Sequence, residues 1–301
     1  MRTYRIYQVD SFTKQKLSGN PAGVVPNADG LSDTEMQQIA RELNNSETAF
    51  ILSPTDNTHD IWVRFFTPQS EVPICGHATI AAHYVRALEN KLGATRIYQK
   101  TGAGILPVDI VPIGDDYRII MTQGAITIGE TLIGDAQLQL LDALGITATD
   151  IRPDCPVTIV STGHSKVMIG IRDSSLLHRL TPSMDRLVQV SQRIGCKGFY
   201  VFTLHPTETI LVHGRMFAPA IGIPEDPVTG NANGPLGAYL CHLGFFRSQG
   251  NEVTFVAMQG ETINRTGTME VWVRIDNNEP VEVRIIGEAT VAFSTLLTLK
   301  D

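Results

Sequence analysis

Three side chains in this sequence are suited to acid–base chemistry: Glu47, His77 and Asp226. Glu47 opens an otherwise apolar, strand-like segment, where a carboxylate either faces solvent or lies partly buried, since strand faces alternate. A partly buried carboxyl is suited to take up and return a proton. His77 follows Gly76 at the start of a predicted helix, where a capping or packing role is the alternative. Asp226 precedes Pro227, a pair that also occurs in ordinary turns.

A predicted loop-to-helix junction follows Asp226. The run from Glu225 to Gly234 contains Gly230-Asn231-Ala232 and leads into an apolar helical segment. The first turn of a helix has backbone N–H groups without intrahelical partners, and the helix dipole favours negative charge there. This junction therefore predicts a seat for a carboxylate or another anion.

The same pattern occurs earlier in the chain, which indicates a diverged duplication. Arg64-Phe-Phe-Thr-Pro68 resembles Arg215-Met-Phe-Ala-Pro219, 151 positions later, and Gly76-His77-Ala78 resembles Gly230-Asn231-Ala232, 154 positions later. We place the three inserted residues at Glu225-Asp226-Pro227. If a pseudo-twofold axis relates the two halves, both helix N-termini can face an anionic substrate across a cleft.

Other chemistries are less well supported. Cys75 lies at the same turn as His77, and a thiol at a helix N-terminus has a lowered pKa. However, the residue equivalent to Cys75 in the second half is Thr229. Its hydroxyl is too weak an acid to replace a thiolate, which disfavours a two-thiol racemase. Cys155, Cys196 and Cys241 are expected to fill the core. The sequence has no recognisable Ser-His-Asp spacing, no metal-ligand cluster, no phosphate-binding loop and no paired-cysteine pattern.

Composition limits the classes of function. A length of 301 residues predicts about two domains. The net charge of −7, with no basic cluster, argues against nucleic-acid binding. No apolar run reaches the roughly 20 residues needed to span a membrane. Met1 to Asp10 begins directly with strand-like alternation and has no signal-peptide core, so a cytoplasmic location is expected.

Short strands with one long helix in each half predict an α+β fold. Ser32 and Glu35 form a capping-box pattern before a first helix. Further helices are expected at Gly76–Leu88, at Asp135–Leu144 and at Met184–Ile194, and after Gly230. Gly124–Gly134 is interpreted as the crossing between the halves. Each half should be a mostly antiparallel sheet wrapped around its central helix.

Four segments together resemble a known family. They are Gly19-Asn-Pro-Ala-Gly23, Ser46-Glu47-Thr-Ala-Phe50, Pro73-Ile-Cys-Gly-His-Ala-Thr79 and Glu225-Asp-Pro-Val-Thr-Gly-Asn-Ala-Asn-Gly234. In this order and at these separations they are similar to the PhzF family of phenazine biosynthesis-like isomerases, over essentially the whole chain. The resemblance implies a diaminopimelate epimerase-like fold of two similar domains. The expected domains are 1–127 with 288–301, and 128–287, with the last strand, Ala289–Leu299, returning to the first domain.

The resemblance also implies roles for individual residues. Glu47 would be the catalytic acid–base, with His77 and Asp226 as its partners; Ser46, Gly76, Gly230 and Asn231 would bind a small carboxylate substrate. We expect no cofactor, no metal and no nucleic-acid or membrane partner. The protein is expected to form a homodimer. Phenazine-pathway members carry serine where this chain has Asn231, which disfavours the phenazine precursor as the substrate.

Three hypotheses about function follow. The first is a cofactor-independent isomerase that moves a double bond, with Glu47 as a single base acting on one face of the substrate. The second is an epimerase or racemase that pairs Cys75 or Glu47 with Asp226, since inversion needs groups on both faces. The third is a non-catalytic protein that binds a small carboxylate.

Overall fold

The computed structural model describes residues 1–246 and 250–300. Within them the chain forms two compact units: unit 1 comprises Met1–Thr122 and the segment from Ile286 onward, and unit 2 comprises Gln123–Ile285. The sequence-based boundaries, 127/128 and 287/288, lie close to these.

Unit 1 is built from the first half of the chain and one late strand. Its elements are β1 (Arg2–Ser11), β2 (Asn20–Val25), α1 (Asp33–Leu43), β3 (Glu47–Leu52), β4 (Ile61–Phe66), β5 (Glu71–Val72), α2 (Gly76–Asn90), β6 (Thr95–Thr101), β7 (Gly104–Ile113) and β8 (Asp116–Thr122).

Unit 2 and the return strand follow in the chain. The elements are β9 (Thr127–Thr131), α3 (Gly134–Leu144), β10 (Thr158–Ser161), β11 (Ser165–Gly170), α4 (Ser174–Arg179), α5 (Met184–Ile194), β12 (Phe199–Leu204), β13 (Ile210–Ala218), β14 (Ile223–Asp226), α6 (Gly230–His242), β15 (Glu252–Gln259), β16 (Gly267–Asp276), β17 (Glu279–Gly287) and β18 (Ala289–Leu299). Single 3₁₀ turns lie at Ala148–Asp150, Pro219–Ile221 and Glu261–Ile263.

The sheet of unit 1 has the strand order β18-β1-β2-β3-β4-β6-β7-β8. Neighbouring strands are antiparallel except for the parallel pairs β2–β3 and β4–β6, and β5 is a short antiparallel partner of β4. Strands from both ends of this order contact α2, so the sheet wraps around that helix. Eleven of the fifteen residues of α2 are buried, and many are small, which lets the strands approach closely.

The sheet of unit 2 repeats this plan. Its order is β9-β10-β11-β12-β13-β15-β16, the parallel pairs are β11–β12 and β13–β15, and β14 is an antiparallel partner of β13. The buried helix α6 packs against β10, β11 and β16. At Gly237 of α6 a Cβ atom would lie 2.7 Å from a methyl carbon of Val271, so the close contact with the sheet requires glycine. The helices α3 and α5 pack against each other.

The two strand orders place β18 and β9 at equivalent positions, which supports the duplication and confirms the α+β class. They also correct the position of the insertion. Phe65 pairs with Val72, and Met216 pairs with Asp226. Asp226 therefore corresponds to Val72, and the extra residues precede Glu225, around the 3₁₀ turn Pro219–Ile221. The prediction was wrong because Glu225-Asp226-Pro227 differs from its counterpart in unit 1 in residue type, whereas its strand register is the same.

Most of the predicted elements are present. The capping box of Ser32 and Glu35 begins α1, and Met184–Ile194 is α5. The pairing of β18 with β1 confirms the predicted return of the last strand. The prediction that Gly124–Gly134 is only a crossing between the halves was wrong, because this segment contains β9, which pairs with β10. The short helix α4 was not expected; Asp173 caps it by accepting a hydrogen bond from the backbone N–H of Ser175.

Among residues 1–246 and 250–300, every helix is too short or too polar to cross a membrane.

Candidate active site

Glu47 is the first residue of β3, where it pairs in parallel register with Ala22 of β2. Its side chain is 14% exposed. One carboxyl oxygen, Oε2, is buried and accepts no hydrogen bond from the described part of the chain. Buried carboxylate oxygens are normally hydrogen-bonded. A buried oxygen without a donor is therefore available to a ligand or to a proton.

His77 lies beside this oxygen, in the first turn of α2. Its Nε2 atom is 3.4 Å from Oε2 of Glu47 and 3.3 Å from the hydroxyl oxygen of Ser46. The Ser11 hydroxyl donates a hydrogen bond of 2.8 Å to the backbone carbonyl of His77. The side chain is 8% exposed. Strand β1, the start of β3 and helix α2 thus fix the imidazole beside the carboxyl group.

Cys75 completes this group, although it was not among the site residues predicted from the sequence. It is the N-cap residue of α2, and its Sγ atom lies 3.4 Å from Nδ1 and 3.9 Å from Nε2 of His77. The ligand atoms of Glu47, Cys75 and His77 all lie within 4.8 Å of one another. We call these three residues the Glu47–Cys75–His77 cluster. The sequence showed no metal-ligand cluster because Glu47 is remote from the other two residues along the chain.

The start of α2 at Gly76 lacks a side-chain cap. Cys75 makes no capping hydrogen bond, and the first turn contains no acidic residue. The hydroxyl of Thr79 donates a hydrogen bond of 2.7 Å to the backbone carbonyl of Cys75, so it faces this carbonyl and not the N–H groups of the first turn. The helix dipole and the first-turn N–H groups therefore remain to attract an anion.

In unit 2 the predicted residue Asp226 ends β14 and is buried. The hydroxyl of Thr229 donates a short hydrogen bond to its Oδ2 atom. Thr229 is the N-cap residue of α6, a position where threonine commonly accepts a hydrogen bond from the helix. Because its hydroxyl points to Asp226 instead, α6 also begins without a side-chain cap and without an acidic residue in its first turn.

A buried hydrogen-bond network supports this junction. Gln259 at the end of β15 donates 2.7 Å to the carbonyl of Asp226, and its Oε1 accepts from the backbone N–H of Thr229 at 3.2 Å. Asn233 donates to the same oxygen at 3.2 Å and accepts 2.6 Å from the hydroxyl of Tyr200. Gln259, Asn233 and Tyr200 were not predicted from the sequence. Only Asn233, one helical turn after Thr229, had a spacing that could have suggested it.

The other predicted residues of unit 2 lie at the start of α6. Gly230 is buried and Asn231 is half-buried. Within the described residues the Asn231 side chain makes no hydrogen bond, so its amide is available to a ligand. The structure thus groups Ser46, Glu47, Gly76 and His77 in unit 1, and Asp226, Gly230 and Asn231 in unit 2.

Lys166 is a further charged residue near Asp226. It lies in β11. Burial lowers the pKa of Lys166, and the carboxylate of Asp226 partly opposes this shift. The other three cysteines, Cys155, Cys196 and Cys241, are buried as expected. Burial raises the pKa of the Cys155 thiol to about 11 and that of the Cys241 thiol to about 12.

Comparison with known proteins adds a family to this geometry. The sequence matches the PhzC-PhzF family, described as phenazine biosynthesis-like protein, over residues 9–295. It is 59% identical to an uncharacterized isomerase of Clostridium acetobutylicum, over 99% of each chain. It is 47% identical to the uncharacterized isomerase YddE of Escherichia coli K12, over 96% of each chain.

Solved structures agree. A PhzF-family phenazine biosynthesis protein of Bacillus anthracis has a TM-score of 0.88 at 30% identity, covering 99% of this chain and 100% of the other. A hydroxyproline epimerase of Agrobacterium vitis has a TM-score of 0.65 at 13% identity, covering 99% and 91%, which shows a shared epimerase-like fold. The relatives bear isomerase names, and the chain is an enzyme of this class. Fold, motifs and extent of the match agree that it belongs to the PhzC-PhzF family of phenazine biosynthesis-like proteins.

Proposed function

We propose that the protein is a cofactor-independent isomerase that moves a double bond in a small carboxylate-bearing substrate, with Glu47 as the acid–base. The observation that carries this proposal is the buried Oε2 atom of Glu47, which accepts no hydrogen bond in the described part of the chain and lies 3.4 Å from Nε2 of His77. A base must lie within hydrogen-bonding distance of the proton that it removes. An oxygen without a competing donor can meet that requirement.

The pairing with His77 supports both directions of the transfer. A carboxylate that has removed a proton must return it to another carbon, and one carboxyl group can do so on one face of an allylic system. A protonated imidazole beside Glu47 stabilises the carboxylate, whereas a neutral one accepts a hydrogen bond from the carboxylic acid. His77 can therefore accompany either charge state of Glu47.

Substrate binding is proposed for the two uncapped helix starts. The N-terminal turn of α2, at Gly76, and that of α6, at Gly230, each offer N–H groups and a positive dipole end. We assign Ser46 and Asn231 to polar contacts with the substrate, and Asp226 to assisting proton transfer. A homodimer is proposed as the working form.

A racemase or epimerase is the second candidate, because the Sγ atom of Cys75 lies 3.4 Å from Nδ1 of His77. An imidazole at this distance can withdraw the thiol proton and leave a nucleophilic, basic thiolate. In that reaction Cys75, and not Glu47, would remove the proton from the carbon of the substrate.

The test is exchange of substrate hydrogen with solvent deuterium. Wild type and Glu47→Gln are incubated in deuterium oxide with cyclic dienes, unsaturated amino acids and α-amino acids, and incorporation is followed by NMR. Glu47→Gln keeps the shape of the side chain but removes its basicity. We expect incorporation at an allylic or ring carbon in wild type and a loss of at least about 100-fold in the variant, the low end of acid–base contributions.

Glu42→Gln is the matched control, because Glu42 is an exposed glutamate near the end of α1; it should exchange like wild type. Exchange at an α-carbon with loss of chirality, abolished by Cys75→Ala and retained by Glu47→Gln, would replace the proposal by the racemase. Binding of a carboxylate with no exchange in any compound of the panel would contradict both reactions.

A further inference from the structure

Strand β18 forms one end of the unit 1 sheet. Its partner β1 lies on one side, and Phe293, Ser294, Thr295 and Leu296 are exposed in succession along the strand. Every second residue of an end strand directs its backbone N–H and C=O groups away from the sheet. The outer side of β18 therefore presents a row of hydrogen-bonding groups that another strand can use.

Only the start of β18 is protected against such pairing. Proteins usually protect an end strand by making it very short, or with charged side chains, proline or a β-bulge. In unit 2 the equivalent strand β9 has five residues, one of them Glu130. In β18 the register with β1 shifts between Val291 and Phe293, so Ala292 forms a bulge, and Lys16 donates to the carbonyl of Ala292 at 3.5 Å.

The rest of the strand, residues 293–299, has none of these features. Its sequence is Phe-Ser-Thr-Leu-Leu-Thr-Leu, without a charged residue, proline or glycine. Uncharged segments of six or seven residues with high β-propensity are the kind that associate strand to strand. This part of β18 is therefore suited to bind another strand.

The segment 293–299 is also complementary to itself in the antiparallel direction. Pairing about Leu296 places apolar residues opposite each other and hydroxyl residues opposite each other: Leu296 with its own copy, Phe293 with Leu299, and Ser294 with Thr298. The remaining pair, Thr295 with Leu297, is mixed. Such cross-strand pairs stabilise a sheet. Because the segment is uncharged, no charge in it meets a like charge, and a second copy of the chain fits this edge.

The exposed apolar surface extends beyond the strand backbone. A stable interface buries about 800 Å² on each partner, and one strand edge supplies part of that area. The side chains of Phe293 and Leu296 are 56% and 63% exposed. Leu17, 73% exposed, lies on the loop whose Lys16 reaches Ala292. Exposed apolar side chains that lie together mark an interaction surface.

We propose that β18 is the subunit interface of the protein, in which residues 293–299 of two copies pair antiparallel about a twofold axis at Leu296. The two unit 1 sheets then form one continuous sheet. Each chain has one β18, so the pairing closes at two copies. This interface rests on the homodimer proposed above and adds the surface that forms it; it is independent of the acid–base reaction assigned to Glu47.

The first test measures association of the chain with itself. Wild type and Leu296→Lys are compared by sedimentation equilibrium over a range of concentrations. In the variant two ammonium groups meet at the twofold axis, and like charges opposite each other across an interface strongly oppose binding. We expect a dimer for wild type and a dissociation constant at least about 100-fold higher for Leu296→Lys.

Leu138→Lys is the matched control, because Leu138 is a leucine of similar exposure, 62%, on α3 of unit 2. It should dimerise like wild type. Circular dichroism checks that each variant is folded.

Leu296→Cys tests the position of the axis. Residues directly opposite each other in an antiparallel pair have Cα atoms about 4.5–5.5 Å apart, a separation that a disulfide can bridge. Mild oxidation with diamide should convert most of this variant into a covalent dimer on a non-reducing gel, whereas Leu138→Cys should stay monomeric there. The four native cysteines are buried, so they do not compete.

Three outcomes would overturn the proposal. Wild type that stays monomeric would leave the edge to a strand of another protein and reject the homodimer as well. A folded Leu296→Lys variant that dimerises as tightly as wild type would place the subunit contact elsewhere. Leu296→Cys without a covalent dimer would reject the axis at Leu296. In each case the deuterium exchange assay still decides the isomerase reaction separately.

Discussion

Thr229 shows how the partner of one hydroxyl determines whether a helix end is capped. Threonine at an N-cap usually accepts a hydrogen bond from the first turn of its helix. In α6 its hydroxyl donates to Asp226 instead, and the first turn begins uncapped. Gln259 also holds Thr229 in place, because its side-chain oxygen accepts a hydrogen bond from the backbone N–H of Thr229. The uncapped start of α6 is therefore produced by a side-chain network behind it.

Tyr200→Phe tests the stability of that network. Tyr200 is fully buried and donates to Oδ1 of Asn233, so the variant leaves a buried acceptor without its donor. We expect the free energy of unfolding to fall by about 1–3 kcal/mol. Urea denaturation measures it. The matched control is Tyr7→Phe, whose hydroxyl donates to Glu89 at an exposed position; it should change stability by no more than about 0.5 kcal/mol. Equal effects of the two variants would contradict a buried network.

At the scale of elements, helix α2 has both a site residue and a buried titratable residue. His83, about two turns after His77, is fully buried and shares a hydrogen bond of 2.9 Å between its Nε2 and Oε1 of Gln99. Its other ring nitrogen, Nδ1, is buried without a partner in the described chain. A second ring proton would have no acceptor there. Burial lowers the pKa of His83 from 6.5 to about 4, with a smaller contribution from the charge of Arg86.

This shift predicts a loss of stability in acid. Below its ordinary pKa of 6.5 the unfolded His83 binds a proton, whereas the folded residue stays neutral until about pH 4. The unfolded state then holds more protons, so stability falls as the pH drops through this window. The loss is about 3 kcal/mol at its lower end. Urea unfolding of wild type and His83→Gln measures it: the stability of wild type minus that of the variant should decrease by about 3 kcal/mol from about pH 7.5 to about pH 4. Parallel stability curves would show that another group is responsible.

Elements with local signals were predictable from the sequence. The start of α1 was predicted because Ser32 and Glu35 satisfy each other within one turn. Strands β5, β9 and β14 were missed because each is short and formed by hydrogen bonds to a partner strand elsewhere in the chain. In the candidate site, Glu47 and His77 were identified through residue type and resemblance. The approach of Glu47 to Cys75 and His77 depends on the packing of β3 against α2, and no spacing in the sequence encodes it.

At the scale of the whole molecule, the duplication preserves an ion pair as well as a strand order. Arg64 of β4 forms a bidentate pair with Glu71 of β5, and Arg215 of β13 forms one with Glu225 of β14. Each guanidinium also lies over a phenylalanine ring two residues later in the chain, with its carbon 5.1 Å and 4.9 Å from the ring centroid. The acidic residue Glu225 thus has a structural partner and is not part of the candidate site.

The two equivalent pairs should differ in energy. Glu225 is 11% exposed, and Arg215 also donates to the carbonyls of Leu177 and Leu180, so Arg215→Met leaves a buried charge and two acceptors unpaired. Glu71 is 43% exposed, so after Arg64→Met water can solvate it. We expect losses of about 3–5 kcal/mol for Arg215→Met and about 1 kcal/mol for Arg64→Met in urea unfolding.

The exposed pair of Arg186 and Asp142 provides a control for both, and Arg186→Met should be nearly neutral. A larger loss for Arg64→Met than for Arg215→Met would show that exposure of the acidic partner does not determine the energy of these pairs.

The pairing of β18 with β1 has a consequence for the order of folding during translation. The ribosome makes β1 to β8 first, yet the sheet of unit 1 lacks one strand until β18 has been made, after all of unit 2. Domains usually fold as the chain emerges, with the N-terminal one first. Here the second unit has all of its strands before the first does, so the nascent first unit carries an open sheet edge at β1. An unpaired strand edge can pair with a strand of another chain, so this edge is open to intermolecular pairing until synthesis ends.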